Sequence, residues 1–168
     1  MHISRAVPSN TTIDDTISNS NSDTVAYDPP ELWLKPDGCP RVPCSGFPDK
    51  NKTFSNTWHT SVFSAKPDHA NALNKTQSAT ARFNGNAVYV YGVLPPTIGI
   101  PTANVEFFID GVLVDQFGQP NVSASDFVYD FLFYANSSLP PGAHEIKIIN
   151  GKPNGPDSMF ILDRIVYT

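Results

Sequence analysis

The chain has 168 residues and is poor in charge, since only 16% of them are Asp, Glu, Lys or Arg, against roughly 25% in ordinary globular domains. Its net charge of -5, with 11 Lys and Arg in total, argues against the basic patch that a nucleic-acid partner requires. No apolar run approaches the roughly 18 residues that cross a bilayer, and the length suits one domain with a real core.

The start of the chain predicts little regular structure. Residues 1–10 are interpreted as a flexible lead, followed by a single domain over residues 11–168. Within that domain, short strands are predicted near Ile13 and over Val25–Tyr27.

A proline-rich stretch follows, from Pro29 to about Asn56. Prolines at this density exclude a central strand or an internal helix. Trp33 and Phe47 within the stretch favour a packed loop over a disordered one. A strand is then predicted over Trp58–Phe63.

The second half of the chain has regular alternation and no helical pattern. The predicted strands cover Ser78–Phe83, Ala87–Val93, Ala103–Ile109, Val112–Phe117, Asp126–Tyr134, His144–Ile149 and Met159–Tyr167. Asn84-Gly85 and Asp110-Gly111 predict two tight hairpin turns. This pattern predicts an all-β sandwich, whose loops gather at its two ends and suit binding.

Alternation also predicts which side chains face the core. Val105, Phe107 and Ile109 share one face of their strand and are expected inside, with Glu106 and Phe108 on the outer face.

In the strand near residue 146, Ile146 and Ile148 are expected inside, with Glu145 and Lys147 in water. In the last strand, alternation places Ile161, Asp163, Ile165 and Tyr167 on one side and Phe160, Leu162, Arg164 and Val166 on the other.

The two cysteines, Cys39 and Cys44, close a very short loop that contains two prolines. We expect them to form a disulfide, which favours secretion; the alternative is two free thiols. The pair is a poor metal site because no other cysteine exists and the nearest histidine is His59.

Sequons for N-glycosylation also favour secretion, because they fall in predicted loops where a glycan disturbs no core. Their asparagines are Asn10, Asn51, Asn74, Asn121 and Asn136. The alternative is chance, in a chain rich in Asn, Ser and Thr.

The order of short motifs resembles a family. IDDT near the start, WHTS, ARFNGNAVYVYG, FFIDG, FLFYANSSLPPGAHEIKIIN and ILDRIVYT are similar to segments of extracellular domains in basidiomycete fungal proteins. The resemblance covers Ile13 to Thr168 and implies a galactose-binding-domain-like jelly roll with a binding role. Thr16 stands where that family's opening motif often has an acid.

A looser resemblance links the chain to the small, glycosylated, non-catalytic subunits of fungal laccases. It implies a partner protein, in a heterodimer, in place of a sugar.

Groups for catalysis are not evident in the sequence. No histidine is near a G-x-S-x-G turn, and most acids lie in predicted turns or on wet faces, so the chain is expected not to be an enzyme. His144, after Pro140-Pro141-Gly142, is interpreted as a structural hydrogen-bonding residue.

Asp163 lies within an apolar strand and needs a partner there. Jelly rolls often pair their first and last strands, so Asp14 or Asp15 is expected nearby. One reading is a calcium site that includes Asp15 and Asp163. The favoured reading is that Asp163 accepts backbone N–H groups or pairs with a basic side chain, and no cofactor is expected.

Carbohydrate binding needs an exposed aromatic ring beside polar side chains. The candidates for a binding site are Tyr27, Trp33, Trp58 and His59, with Asn56, Phe108 and Tyr134 as further possibilities. For both tryptophans the alternative is a role in the core or in anchoring a loop.

The sequence therefore predicts a secreted, non-catalytic recognition module whose partner is a glycan. The alternative is an accessory subunit that docks on a secreted fungal oxidoreductase such as a laccase.

Overall fold

A computed structural model describes residues 9–16, 23–36, 46–66, 74–120 and 125–168. The strands are β1 (Thr11–Asp14), β2 (Val25–Asp28), β3 (Trp33–Leu34), β4 (His59–Phe63), β5 (Gln77–Gly85), β6 (Val88–Leu94), β7 (Asn104–Ile109), β8 (Val112–Gly118), β9 (Val128–Asn136), β10 (Gly142–Asn150) and β11 (Ser158–Tyr167). Short 3₁₀ helices cover Pro30–Leu32, Lys50–Lys52 and Phe54–Asn56. In the described part of the chain, no helix has the length and apolar character needed to traverse a bilayer.

The strands form two antiparallel sheets. Sheet A has the order β3-β4-β11-β6-β9, with β1 also paired to β11. Sheet B has the order β2-β5-β10-β7-β8. The predicted all-β sandwich is confirmed, while the jelly-roll assignment stays a prediction.

The main core lies between the sheets and is largely apolar, and buried hydrogen bonds of Ser61, Gln77, Asn150 and Ser158 also join the two sheets. In β7, Val105, Phe107 and Ile109 are buried in it, and in β10 so are Ile146 and Ile148. Both predicted alternations are therefore confirmed.

One of the two predicted hairpins is wrong. Asn84 and Gly85 do not turn the chain into β6; they remain extended at the end of β5, paired with Ala143 and Gly142 of β10. The chain then crosses to sheet A. Asp110 and Gly111 do form the predicted turn between β7 and β8, with both φ angles positive, at 50° and 79°.

The predicted faces of β11 are also wrong, because a bulge between Leu162 and Arg164 resets the alternation. Phe160, Leu162 and Ile165 all belong to the main core. Ile161 belongs to a second apolar cluster with Trp58, Val93 and Met159. That cluster lies on the outer side of sheet A.

The bulge coincides with a change of partner along one edge of β11. Its first half pairs with β4, ending at Leu162 opposite His59, and its second half pairs with β1, where Arg164 is opposite Asp14. Asp163 lies between these two pairings. The predicted pairing of the first and last strands is confirmed.

Candidate functional site

Buried polar side chains meet at the point where β11 changes partner. We call Asp14, Asp15, His59 and Asp163 the junction cluster. Its three carboxylates are at most 4% exposed. Residues far apart in sequence are brought together here because β1, β4 and β11 converge.

Asp15 is the most enclosed member of the cluster. Its Oδ2 lies 2.7 Å from Nδ1 of His59, and its Oδ1 accepts a hydrogen bond from the Thr57 hydroxyl at 2.5 Å. Its backbone N–H donates to Oδ1 of Asp14 at 2.8 Å. These bonds tie the end of β1 to the start of β4.

Burial shifts both partners of the Asp15–His59 pair towards their neutral forms. Burial, and then the hydrogen bond to Asp14, raises the pKa of Asp15 to about 9. Burial, and then the charge of Lys35, lowers the pKa of His59 to about 4. Near pH 7 the pair therefore holds one proton between Oδ2 and Nδ1 and has no net charge.

Asp163 is engaged by protein donors on both oxygens. Its Oδ1 accepts from the backbone N–H of Phe54 at 2.8 Å, and its Oδ2 accepts from Arg164 at 2.8 Å. Burial raises the pKa of Asp163, while these two donors oppose the shift. Arg164 also bonds to Asp130 and lies 4.3 Å from the ring centre of Tyr91. The interpretation that Asp163 pairs with a base and accepts a backbone N–H agrees with this geometry.

Tyr27 joins the cluster to the core. Its ring stacks on His59 at a centroid distance of 4.3 Å, and it lies 4.8 Å from the ring of Trp33. Its hydroxyl donates to the backbone carbonyl of Asp15 at 2.7 Å. The structure thus brings together Tyr27, Trp33 and His59, three of the four residues that the sequence singled out for sugar binding.

The tryptophans are interior residues. Trp33 is 5% exposed in the main core, and Trp58 is 1% exposed on the outer side of sheet A, stacked on Phe47 at 5.7 Å. Tyr134 is also buried, and its ring stacks on that of Phe107. Buried rings of this kind offer a sugar no face on which to stack, so the alternative role as core and loop anchors fits these three.

The carboxylates of the junction cluster are engaged by groups of the protein itself. All four carboxylate oxygens of Asp15 and Asp163 accept from, or contact, protein groups. Among the residues described, no three His, Cys, Asp or Glu side chains are placed to hold a metal ion. A calcium site that includes Asp15 and Asp163 stays a prediction.

The outer face of sheet B combines apolar and polar side chains that solvent can reach, unlike the buried junction cluster. Alternation directs Phe108 of β7, Lys147 and Ile149 of β10 and Leu113 of β8 outward, and all four are partly or largely exposed. In register, Phe108 lies opposite Lys147 on one side and Leu113 on the other. Phe108 is thus a partly exposed aromatic ring on the outer face of sheet B.

A cleft of about 250 Å³ lies further along the same face of the sheet. Glu106, Gln116 and Ile149 lie side by side on β7, β8 and β10 and line it, and Lys152 and Pro156 form its rim. The side chain of Gln116 donates to that of Glu106 at 3.0 Å, which fixes both polar groups. We call this the Gln116 cleft.

A second, more polar cleft of about 440 Å³ lies across the same sheet. Asp23, Ala26, Thr80, Arg82 and Glu145 line it. Arg82 and Glu145 form an ion pair of 3.1 Å between β5 and β10. We call this the Arg82 cleft. No member of the junction cluster lines either cleft, so the most perturbed groups and the open concave surface do not coincide.

His144 holds a turn in place. Its Nδ1 lies 2.7 Å from Oδ2 of Asp110, and its Nε2 lies 2.7 Å from the carbonyl of Pro140. Asp110 also accepts from the backbone N–H of Glu145. Hydrogen bonds to Pro140 and Asp110 raise the pKa of His144, in agreement with the structural role expected for it.

The predicted modification sites are only partly described. Cys39, Cys44 and Asn121 lie outside the described residues. Asn10, Asn51 and Asn74 are exposed. Asn136 is half-buried and its side-chain amide donates to the hydroxyl of Tyr134 at 3.3 Å.

Sequence reasoning placed Phe108 correctly on the outer face but did not recognise the surface around it. Gln116, Ile149 and Lys152 come from three separate segments, and only the strand order of sheet B makes them neighbours. The prediction that Glu106 and Lys147 face solvent was the one sequence signal for this outer face of sheet B.

Comparison with known proteins identifies no family. No family profile matches the chain, and no curated protein matches its sequence. Among solved structures, the catalytic domain of Agl-KA is similar at a TM-score of 0.45 and 8% identity, over 99% of this chain and 30% of that one. The chain thus spans less than a third of that protein's length. Neither resemblance noted in the sequence, to fungal extracellular domains or to laccase subunits, gains support from these comparisons.

Proposed function

We propose that the protein is a secreted, non-catalytic recognition module that binds carbohydrate on the outer face of sheet B. The observation that carries the proposal is the partly exposed ring of Phe108, which lies on the same face of β7 as Glu106 of the Gln116 cleft. A sugar ring stacks its C–H face on an aromatic side chain, while nearby amides and carboxylates bond its hydroxyls. Glu106 and Gln116 supply such groups in a fixed arrangement.

A binding role also accounts for where the titratable groups lie. Asp15 and His59, an acid and a base whose pKa values are strongly shifted, contact each other and are absent from both clefts. A general acid or base must reach the substrate to act on it. Secretion is supported by the sequons and by the spacing of Cys39 and Cys44.

A glycan array followed by titration calorimetry tests the proposal. Phe108→Ala should weaken binding of the selected sugar by about tenfold, the equivalent of about 1.4 kcal/mol. Phe54→Ala is the matched control, because Phe54 is an exposed aromatic ring on the side of sheet A. If no sugar on the array binds, or if both variants bind as the wild type does, the proposal fails.

Exposed apolar side chains favour a second candidate, the accessory subunit. The edge strands β8 and β9 are neighbours across the sandwich, through contacts of Phe117 with Phe131 and Phe133. They expose Val112 and Val128, at 64% and 49%. Exposed apolar groups on unpaired edges often mark protein contacts.

Co-purification from the native source tests this candidate. A stoichiometric partner that is captured by the wild type, and lost with Val112→Glu and Val128→Glu, would favour the subunit over the sugar-binding module. If both variants capture the partner as the wild type does, the accessory-subunit candidate is wrong.

A further inference from the structure

The two clefts lie at opposite corners of one sheet face. The Gln116 cleft is formed on β7, β8 and one end of β10, and the Arg82 cleft on β2, β5 and the other end of β10. Between them, Lys147 is paired in register with Thr80 on one side and Phe108 on the other. A continuous path of side chains therefore joins the clefts.

The distance along this path is long for a single sugar. Four strand steps separate β2 from β8, and four residues separate Glu145 from Ile149 along β10. With strands about 4.8 Å apart and about 3.4 Å of rise per residue, the path extends on the order of 20 Å. Only a chain of several linked units can contact both ends.

The charges on the path balance, and one opposite pair of them is joined directly. Arg82, Lys147 and Lys152 are cationic, while Asp23, Glu106 and Glu145 are acidic. Arg82 is paired with Glu145, and Glu106 accepts from Gln116. Such a surface offers many hydrogen bonds and no field of one sign, which suits an uncharged ligand.

We propose that the ligand is a neutral, linear oligosaccharide that lies diagonally across sheet B, over Phe108, with one end in each cleft. This inference rests on the proposed function and gives it a ligand class. The Gln116 cleft and Phe108 bind the first units, and the Arg82 cleft is reached only by longer chains.

Calorimetric titration with neutral oligosaccharides tests the inference, using cello-, laminari-, malto- and N-acetylchito-oligosaccharides from monosaccharide to hexasaccharide. Affinity should rise at least about tenfold from disaccharide to hexasaccharide in the preferred series. Gln116→Ala should weaken binding at every length that binds. Arg82→Ala should weaken the hexasaccharide about fivefold and leave the disaccharide unchanged.

Lys52→Ala is the control for loss of a cation, since Lys52 contacts Tyr129 and lines neither cleft. Equal affinity for all lengths, or equal effects of Arg82→Ala on short and long chains, would overturn this inference while leaving sugar binding intact. Tighter binding of an acidic oligosaccharide or of an extended peptide would also overturn it. Failure of every sugar would remove the proposed function itself.

Discussion

Oδ2 of Asp15 lies 2.7 Å from Nδ1 of His59 at the point where β11 leaves β4 and begins to pair with β1. Asp15 follows the end of β1 and His59 opens β4, so their contact links two strands that do not pair with each other. The contact therefore bears on stability, and its protonation makes that stability depend on pH.

The pair predicts a loss of stability at alkaline pH. Between about pH 4 and 6.5 the folded pair holds one proton, on Asp15, and the unfolded chain also holds one, on the histidine. Because both states bind the same number of protons, the pair makes stability independent of pH in this range. Above about pH 6.5 the unfolded chain releases that proton, but folded Asp15 keeps its own until about pH 9. The raised pKa of Asp15 thus costs stability as the pH rises, on the order of 2 kcal/mol between pH 7 and 9.

Urea unfolding of the wild type and of Asp15→Asn, at several values between pH 5 and 9, measures this loss. The variant should lack most of the decline, because its amide does not titrate. His144 also loses a proton in this range, so the difference between the two curves isolates Asp15. Parallel curves would show that Asp15 is ionised in the folded protein.

The Asp110–His144 pair predicts a titration that NMR can follow. His144 has a raised pKa and Asp110 a lowered one, so their contribution is largest between about pH 4 and 6.5 and is lost as the pH rises through the value of His144. Asp110→Asn keeps a residue that tolerates a positive φ but removes the charge. The pKa of His144 should fall in this variant, and an unchanged value would assign the shift to Pro140 alone.

Alanine substitutions at two glycines distinguish the cost of backbone strain from the cost of a steric clash. Gly111 and Gly151 both have a positive φ, at 79° and 83°. A methyl group on Gly111 meets open space, whereas one on Gly151 comes within 2.1 Å of Cγ of the buried Phe63. Gly111→Ala should cost about 1 kcal/mol of unfolding free energy, and Gly151→Ala about 1–3 kcal/mol more. Equal midpoints in urea would contradict this packing.

Exposure predicts which sequons carry glycans after expression in a eukaryotic host. Asn51 and Asn74 are exposed, whereas the amide of Asn136 is half-buried against Tyr134. Glycopeptide mapping should find higher occupancy at Asn51 and Asn74 than at Asn136. The reverse order would argue against this arrangement of the β9 end.

The sequence predicted the sandwich because alternation is local, and β7 and β10 obey it from end to end. It wrongly joined β5 and β6 in a hairpin because an Asn-Gly step is compatible with an extended strand when another strand pairs with it, as β10 does at Asn84 and Gly85. It misassigned Ile165 because a bulge at Asp163 cannot be read from hydrophobic period alone.

In the candidate site too, the sequence predicted what depends on a single strand and missed what depends on the order of the strands. Phe108 was assigned to the outer face by alternation within its own strand. Its neighbours Lys147 and Gln116 depend on strand order, which a single sequence leaves open. Tyr27 and Trp33 looked like ligand contacts because aromatic residues in a polar segment resemble a binding loop, yet they pack on each other and, for Trp33, on Phe160.

Chemical-shift mapping of the isotope-labelled protein with the sugar selected on the array tests the central claim most directly. The amide signals of Phe108, Glu106, Lys147 and Gln116 should shift on titration, while those of Trp58 and His59 should stay in place. Shifts confined to the junction cluster or to the side of sheet A, with sheet B unaffected, would contradict it.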